Sequence, residues 1–155
     1  CKHCRIPLRE AIKDNLDRQK MALRLRAGLA EMESRRHKRG EARYPLQEPD
    51  LSNVFLLNPD GCPHCYEGRS GRTVLGEVVE TDEHLMGLLQ ENKMEEAISY
   101  WLSPDGLNGI SMLWHGLMQV KEGRISPEDL EFEIGLMASD RYAEDVCREL
   151  GQPPW

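Results

Sequence analysis

Two Cys-x-x-Cys pairs restrict the possible folds of this chain more than any other feature of its sequence. CKHC occupies residues 1–4 and CPHC occupies residues 62–65. Two such pairs can supply four thiolates to a tetrahedral zinc site, provided that the fold brings the two ends of segment 5–61 together. Because protein sulfurs would fill every position on the metal, no catalytic residue and no other cofactor-binding residue is predicted in this chain. The predicted ligands of one structural Zn²⁺ are Cys1, Cys4, Cys62 and Cys65.

The CPHC pair has a second interpretation, a redox-active dithiol. The stretch CPHCY resembles the active site of periplasmic thiol oxidants, but the match stops at these five residues. Redox pairs lie at a helix N-terminus, where the helix dipole stabilises the first thiolate. Gly68 and Gly71 follow Cys65 closely and oppose a helix at this place. The sequence therefore favours a structural metal over a redox site.

The other residues around the cysteines have simpler interpretations. His3 and His64 lie inside the pairs, and we expect them at the exposed tips of the turns; replacement of a cysteine ligand by one of them is the alternative. Cys147, the fifth cysteine, is expected to be a small buried side chain on an amphipathic helix. Four basic residues beside the pairs could offset the negative charge of a zinc–thiolate cluster: Lys2, Arg5, Arg69 and Arg72.

The charge distribution describes an acidic chain with a basic N-terminal part. The 155 residues carry a net charge of −7, whereas residues 1–45 contain 13 Lys and Arg against 6 Asp and Glu. An acidic chain argues against a dedicated nucleic-acid-binding module, so no nucleic acid is expected as a partner. No apolar run is long enough for a membrane span and no signal peptide is visible, so no membrane insertion is expected. Because the chain begins with Cys rather than Met, we interpret it as a fragment of a longer protein.

Apolar periodicity and turn residues predict an α+β fold that is mainly helical. A long N-terminal helix is expected from about residue 7 to about residue 39, with a possible break near Gly28. Residues 53–58 and 72–80 have the composition of two strands, which would form a small zinc-stapled β-hairpin around the second cysteine pair. A C-terminal helical bundle is expected after them. Its first helix would follow a Thr81 cap, and the next two would cover about 94–102 and 110–123. A fourth helix would begin at Ser126, and the last, DRYAEDVCREL, would end at Gly151.

These elements divide the chain into two predicted domains. Residues 1–80 would form a tetracysteine zinc domain into which the long basic helix is inserted. Residues 81–155 would form a C-terminal helical subdomain. The stretch 40–50, which contains Gly, Pro and Asp, is interpreted as the linker that follows the long helix.

The order of motifs resembles a known family. After the first CxxC and a spacer come GCPHCYEGRSGRTVLGEVVETDEHLMGLL and then GISMLWHGLMQVKEGRISPEDLEFEIG. This order is similar to the C-terminal tetracysteine region of the traffic ATPases that drive type II secretion, type IV pilus assembly and conjugative pili. The resemblance covers residues 1–5 and 58–138. It departs from the family in the longer separation of the two cysteine pairs and in the tail after residue 139.

The resemblance implies a function that this chain would share with a longer parent. The parent would be a hexameric motor that hydrolyses ATP with Mg²⁺, in the cytoplasm at the inner face of the bacterial inner membrane. The implied partners are the ATPase core of the same parent chain, neighbouring subunits of the hexamer and the inner-membrane platform protein. The phosphate-binding motif G-x-x-x-x-G-K-[ST] does not occur in these 155 residues. The fragment alone is therefore expected to hydrolyse nothing, whereas its zinc domain would couple the motor core to the platform.

The long basic helix supports a competing function. An independent zinc-ribbon adaptor that binds protein or nucleic acid would use RLRAGLAEMESRRHKRG as its contact surface, and a redox enzyme is a third possibility. The apolar stripes of this helix are wider than one small domain can cover, so its partner should offer both apolar and acidic surface. The candidates are the acidic C-terminal half of the same chain, a neighbouring subunit and the platform protein. The basic residues concerned are Arg24, Arg26, Arg35, Arg36, Lys38 and Arg39.

Overall fold

The computed structural model describes residues 1–36, 45–153 and 155. Within these residues, seven helices and one two-stranded antiparallel sheet confirm an α+β fold that is mainly helical. None of the described helices is both long and apolar enough to cross a membrane. In chain order the elements are β1 (Ile6–Pro7), α1 (Leu8–Ala11), α2 (Leu16–Arg36), β2 (Phe55–Leu56), α3 (Glu83–Gln90), α4 (Met94–Leu102), α5 (Met112–Lys121), α6 (Pro127–Glu133) and α7 (Asp140–Leu150).

Helix α2 is the central element of the fold. Its apolar residues are spread around the helix rather than gathered on one face, and a helix of this kind is stable only when other elements surround it. Helices α5 and α6 contact it, and α7 packs along it. The buried apolar residues of α2 are Met21, Ala22, Leu25, Ala27, Leu29, Ala30 and Met32.

The predicted single N-terminal helix is wrong in one respect, because the chain turns between α1 and α2. Residues 12–15 form this turn, and the side chain of Asn15 accepts the backbone N–H of Arg18 at 3.0 Å to begin α2. No break occurs at Gly28, which is buried inside α2. The predicted extension of the helix to residue 39 lies outside the described residues, as do Lys38 and Arg39.

The predicted hairpin of residues 53–58 with residues 72–80 does not form. Strand β2 pairs with β1 instead, with Ile6 opposite Leu56 and Pro7 opposite Phe55. Residues 72–80 contain no strand and lie beside α5. The pairing changes because closing the two cysteine pairs places residue 6 next to residue 56.

The helix boundaries in the C-terminal half agree with the local signals, with small shifts. Helix α4 has the predicted bounds, and α7 ends at Gly151 as predicted. Ser126 caps α6, where its side chain accepts the backbone N–H of Glu128 at 3.1 Å. Helix α3 begins one residue later than predicted, because Asp82 rather than Thr81 is its cap.

Three groups of buried apolar residues form the interior. The main core joins α1, α2 and β2 to α5 and α6, so it contains residues from both sides of the predicted boundary at residue 80. A second core packs α7 on α2 around Ala27, Ala143 and Val146. The third core lies within the α3–α4 hairpin and its following loop, around Leu88 and Trp101. The α3–α4 hairpin therefore has an apolar interior of its own.

The basic residues of α2 are paired mainly with acidic residues of the same chain. Arg18 donates to Glu128 at 2.9 Å, and Arg24 forms a bidentate ion pair with Glu131 at 2.7 and 2.6 Å. Arg26 donates to Glu48. The acidic C-terminal half thus supplies the partners of Arg18 and Arg24.

Candidate metal centre

The four predicted cysteines form one compact cluster. All four Sγ atoms lie within 4.8 Å of one another. The separations are 3.6 Å for Cys62–Cys65, 3.6 Å for Cys4–Cys65 and 3.9 Å for Cys1–Cys62. In a tetrahedron with a metal–sulfur distance of about 2.3 Å, neighbouring sulfurs are about 3.8 Å apart. The cluster therefore has the size and the donor set of a tetrahedral tetrathiolate metal site.

Tight turns position the sulfurs. Each pair closes a turn in which a backbone N–H reaches the carbonyl of the first cysteine: Arg5 to Cys1 at 3.1 Å, and Cys65 to Cys62 at 3.1 Å. The N–H of Cys62 also donates to the Sγ of Cys65 at 3.2 Å. Gly61 has a φ of +66°, and a Cβ at this position would lie 3.5 Å from the Cys65 sulfur. The positive φ, which side chains other than glycine rarely adopt, explains the glycine at this position next to Cys62.

The pKa values of two cluster thiols are shifted in opposite directions. Partial burial, together with hydrogen bonds to Cys65 and Cys62, raises the pKa of Cys4 to about 11. Burial also opposes ionisation of Cys65, but the hydrogen bonds from Cys4, Cys62 and the backbone outweigh it, so the pKa of Cys65 is lowered. Thiols bind a metal as thiolates, so a bound metal ion would displace the protons of these four sulfurs.

The two histidines inside the pairs lie outside the ligand group. His3 and His64 are exposed, and their rings stack with centroids 4.4 Å apart. Among the described residues, the one group of potential metal ligands consists of the four cysteines and contains no histidine. The rings thus join the tips of the two turns.

Two of the basic residues beside the pairs have a role that the sequence did not predict. The guanidinium of Arg5 donates to the carbonyl of Gly123 at 3.0 Å and lies 3.5 Å above the ring of Phe55. Arg69 donates to Asp129 of α6 at 2.7 Å. These two residues tie the cysteine cluster to the turn between α5 and α6 instead of only offsetting its charge. No local pattern signals these contacts, because they join residues at least 50 positions apart.

Cys147 and the chain after Cys65 argue against thiol chemistry at this centre. Cys147 is half-buried on α7 and contacts Arg26 with a sulfur–nitrogen distance of 3.5 Å, so it is less buried than expected and belongs to another part of the fold. After Cys65 the chain forms a small turn in which Tyr66 and Arg69 pair through two backbone hydrogen bonds. The next helix is α3, so no helix dipole stabilises a thiolate of this pair.

The arrangement can hold a metal ion but leaves no position for a substrate on it. Four sulfurs complete a tetrahedral shell, as in structural sites, whereas catalytic sites keep one position open. Comparison of the chain with models of protein families and with curated proteins finds no match.

Proposed function

We propose that Cys1, Cys4, Cys62 and Cys65 bind one structural Zn²⁺. The main support is that four thiols from two distant segments converge within 4.8 Å with the spacing of a tetrahedral site. Zinc suits an all-sulfur tetrahedral shell and adds the free energy of metal binding to the folding of a small domain. The metal would supply this structural link and no reaction step.

We further propose that the chain is the C-terminal module of a hexameric motor of pilus assembly or protein secretion. The support is the order of motifs, which resembles the traffic ATPases over residues 1–5 and 58–138. ATP and Mg²⁺ would bind only in the parent chain, whose ATPase core would lie upstream. The module would work in the cytoplasm, at the inner face of the inner membrane, between neighbouring subunits and the platform protein.

The contacts around the cluster support a coupling role for this module. Arg5 connects the first cysteine pair to Gly123 at the end of α5, and Arg69 connects the second pair to Asp129 at the start of α6. Buried apolar residues of α5 and α6 belong to the same core as α2. A displacement of the cluster would therefore move a packed group of helices rather than one loop.

The adaptor function rested on the basic helix, and the ion pairs weaken that support. Arg24, Arg26 and Arg35 donate to carboxylates of the same chain, so these three charges are paired within the fold. A phosphate-binding surface needs basic side chains that face the solvent. We therefore propose the motor module rather than a nucleic-acid adaptor.

Metal analysis of the purified chain tests the first proposal. We expect one equivalent of zinc in the wild type and in Cys147→Ser, and a loss of zinc in Cys65→Ser, because only the latter removes a sulfur of the cluster. A wild-type protein with less than half an equivalent, or a Cys62–Cys65 disulfide in a reduced preparation, would contradict the zinc site.

Complementation of a strain that lacks the parent protein tests the second proposal. We expect the Cys65→Ser parent to lose pilus assembly or secretion while ATP binding by its core persists. The isolated 155-residue chain should bind no Mg-ATP in calorimetry, and micromolar binding there would place the nucleotide chemistry in this fragment.

A further inference from the structure

Residues 72–80 form a straight segment whose backbone is almost free of partners. Residues 70–82 contain no helix, turn or bend, and none of them has a positive φ. Within the described residues, the backbone of segment 72–80 has polar contacts at Gly76, whose N–H and carbonyl oxygen both lie 3.3 Å from the Nδ1 of His115. The tautomer of His115 decides whether Nδ1 accepts the N–H or donates to the carbonyl. The sequence RTVLGEVVE is rich in Val and has the composition of a strand. The segment thus combines strand composition with an unpaired backbone edge.

One face of this segment is held by the rest of the fold. Leu75 packs against the main core, and a carboxylate oxygen of Glu77 accepts the N–H of Met112 at 2.6 Å at the start of α5. The opposite face carries Val74 and Val78, which are 82% and 81% exposed. Two large β-branched residues are thus exposed on a segment that is anchored and straight.

The backbone groups that point away from the fold can be deduced from Gly76. In an extended chain, the N–H and C=O of one residue point to one side and those of its neighbours point to the other side. Because Gly76 directs both groups towards His115, residues 75 and 77 direct theirs outwards. The same alternation turns the backbone groups of residues 73 and 79 outwards. The free edge therefore offers the donors and acceptors of the odd-numbered residues.

We propose that this edge pairs antiparallel with the same edge of a second copy of the chain, around a two-fold axis at Gly76. In this register Val74 lies opposite Val78 of the other copy, and Arg72 lies opposite Glu80. Residues 75 and 77 exchange the backbone hydrogen bonds, as do 73 and 79. The register thus uses the odd-numbered backbone groups that face outwards.

The side chains are complementary in this register. Arg72 and Glu80 are exposed, and neither forms an ion pair with a described residue. Each would meet the opposite charge of the other copy, so that the symmetric contact contains two Arg–Glu pairs and two Val–Val pairs. These pairs fall at the positions without backbone hydrogen bonds, where facing side chains approach most closely. Gly76 lies at the axis, where a Cβ would meet nothing within 4 Å of its own chain.

The contact closes after two copies, which distinguishes it from the ring expected of a hexameric motor. A two-fold contact uses the same patch on both partners, whereas a ring uses two different patches. The inference therefore does not depend on the proposed motor function or on the metal. Zinc content measures the metal site, and the stoichiometry of association measures this contact.

Charge exchange in the full chain tests the register. In sedimentation velocity over a range of concentrations, we expect a monomer–dimer equilibrium for the wild type. Arg72→Glu and Glu80→Arg should each raise the dissociation constant about tenfold, because each change places two pairs of like charges opposite each other. The double variant R72E/E80R should return to the wild-type value. Both side chains are exposed, so zinc content and circular dichroism should stay unchanged.

A cysteine scan at two positions gives an independent test. Gly76→Cys places two thiols opposite each other at the axis, within the Cα–Cα range of a disulfide, and should form a cross-linked dimer under mild oxidation. Val78→Cys is the matched control, because residue 78 of one copy is about 13 Å from residue 78 of the other along the paired strands. A chain that remains monomeric at its highest soluble concentration overturns the proposal. A hexamer whose assembly is unaffected by the charge changes would also contradict it. The same holds for a double variant whose dissociation constant does not return to the wild-type value, and for equal cross-linking at positions 76 and 78.

Discussion

Arg26 shows how a charged residue is accommodated in the interior of this protein. It is 1% exposed, and its Nε lies 2.9 Å from both carboxylate oxygens of Glu48. Its Nη1 donates to the carbonyl of Gly151 at 3.0 Å, beyond the end of α7. Burial lowers the pKa of the guanidinium, but the ion pair with Glu48 outweighs this effect and the pKa is raised. The residue thus joins α2, the segment before β2 and the C-terminal end of α7.

Replacing Arg26 should destabilise the fold more than replacing an exposed arginine. We expect Arg26→Ala to lower the free energy of unfolding by about 2–4 kcal/mol, because it leaves a buried space and an unpaired carbonyl at Gly151. Arg9→Ala is the control and should change it by less than about 0.5 kcal/mol, since Arg9 is exposed. Urea unfolding of both variants measures the difference. Equal stability of the two variants would show that the buried ion pair contributes nothing net.

At the scale of elements, two helical glycines have opposite roles. A Cβ on Gly28 of α2 would lie 2.8 Å from the carbonyl oxygen of Met137 and 3.3 Å from Leu117, so glycine permits the close approach of neighbouring segments. A Cβ on Gly87 of α3 would meet nothing within 4 Å. The residue that suggested a helix break is therefore a packing residue.

This difference predicts opposite effects of the same substitution. Gly28→Ala should lower the free energy of unfolding by about 1–3 kcal/mol, because the facing backbone oxygen cannot move aside as a side chain would. Gly87→Ala should raise it by about 0.5–1 kcal/mol through the better helix propensity of alanine. Thermal unfolding of the two variants is the measurement. A stabilised Gly28→Ala would disprove the close approach of α2 to residue 137.

The start of the α3–α4 hairpin should respond to acid. Asp82 accepts the N–H of Leu85 at 2.8 Å and the hydroxyl of Tyr100 at 2.6 Å, and these bonds, the first above all, lower its pKa below the ordinary 3.8. A lowered folded-state pKa stabilises the fold fully above the unfolded pKa, and this stabilisation is lost as the pH falls through the folded value. The acid-sensitive window thus lies below about pH 4.

The variant Asp82→Asn isolates this effect, because the amide can still cap α3 through its oxygen but does not titrate. We expect it to be less stable than the wild type near pH 7 and to lose less stability on acidification. Hydrogen exchange of residues 83–102 at pH 3 and pH 6 makes the comparison. If the wild type and the variant showed the same pH dependence, the pKa of Asp82 would not be lowered by the fold.

At the scale of the whole molecule, the core that adjoins the cysteine cluster and the interior of the α3–α4 hairpin are separate groups of buried residues. The cluster joins the main core through β1, β2 and the contacts of Arg5 and Arg69. The α3–α4 hairpin has its own buried residues, and the straight segment before it separates it from the cluster. Loss of the metal should therefore destabilise the part of the main core next to the cluster and leave the α3–α4 hairpin unchanged.

Chelation of the metal should show this division. After zinc removal we expect faster hydrogen exchange in residues 1–12 and 53–69, and a weaker increase around the turn between α5 and α6. Residues 83–102 should keep their exchange rates because their interior does not include the cluster. The same pattern is expected for Cys65→Ser. Uniform acceleration over the whole chain would show one cooperative unit, and no acceleration would show that the metal is incidental.

Several features could be predicted because contiguous residues encode them. The bounds of α4, the Ser126 cap of α6 and the end of α7 at Gly151 depend on side chains within a few positions of the helix end. The four cysteines that converge could be named from the spacing of the two CxxC pairs, because few other roles fit such pairs in this composition. The α+β, mainly helical class followed from the same local patterns.

Only the tertiary structure decided which distant segments meet. Residues 72–80 have the composition of a strand, but β1 lies beside β2 because closing the cysteine pairs brings residues 6 and 56 together. Gly28 lies inside a continuous helix because neighbouring segments need its missing side chain. Local propensity is worth a few tenths of a kcal/mol per residue, about 1 for glycine, so it determines helix ends, whereas long-range packing and cluster closure determine the pairing of strands and the surroundings of buried charges.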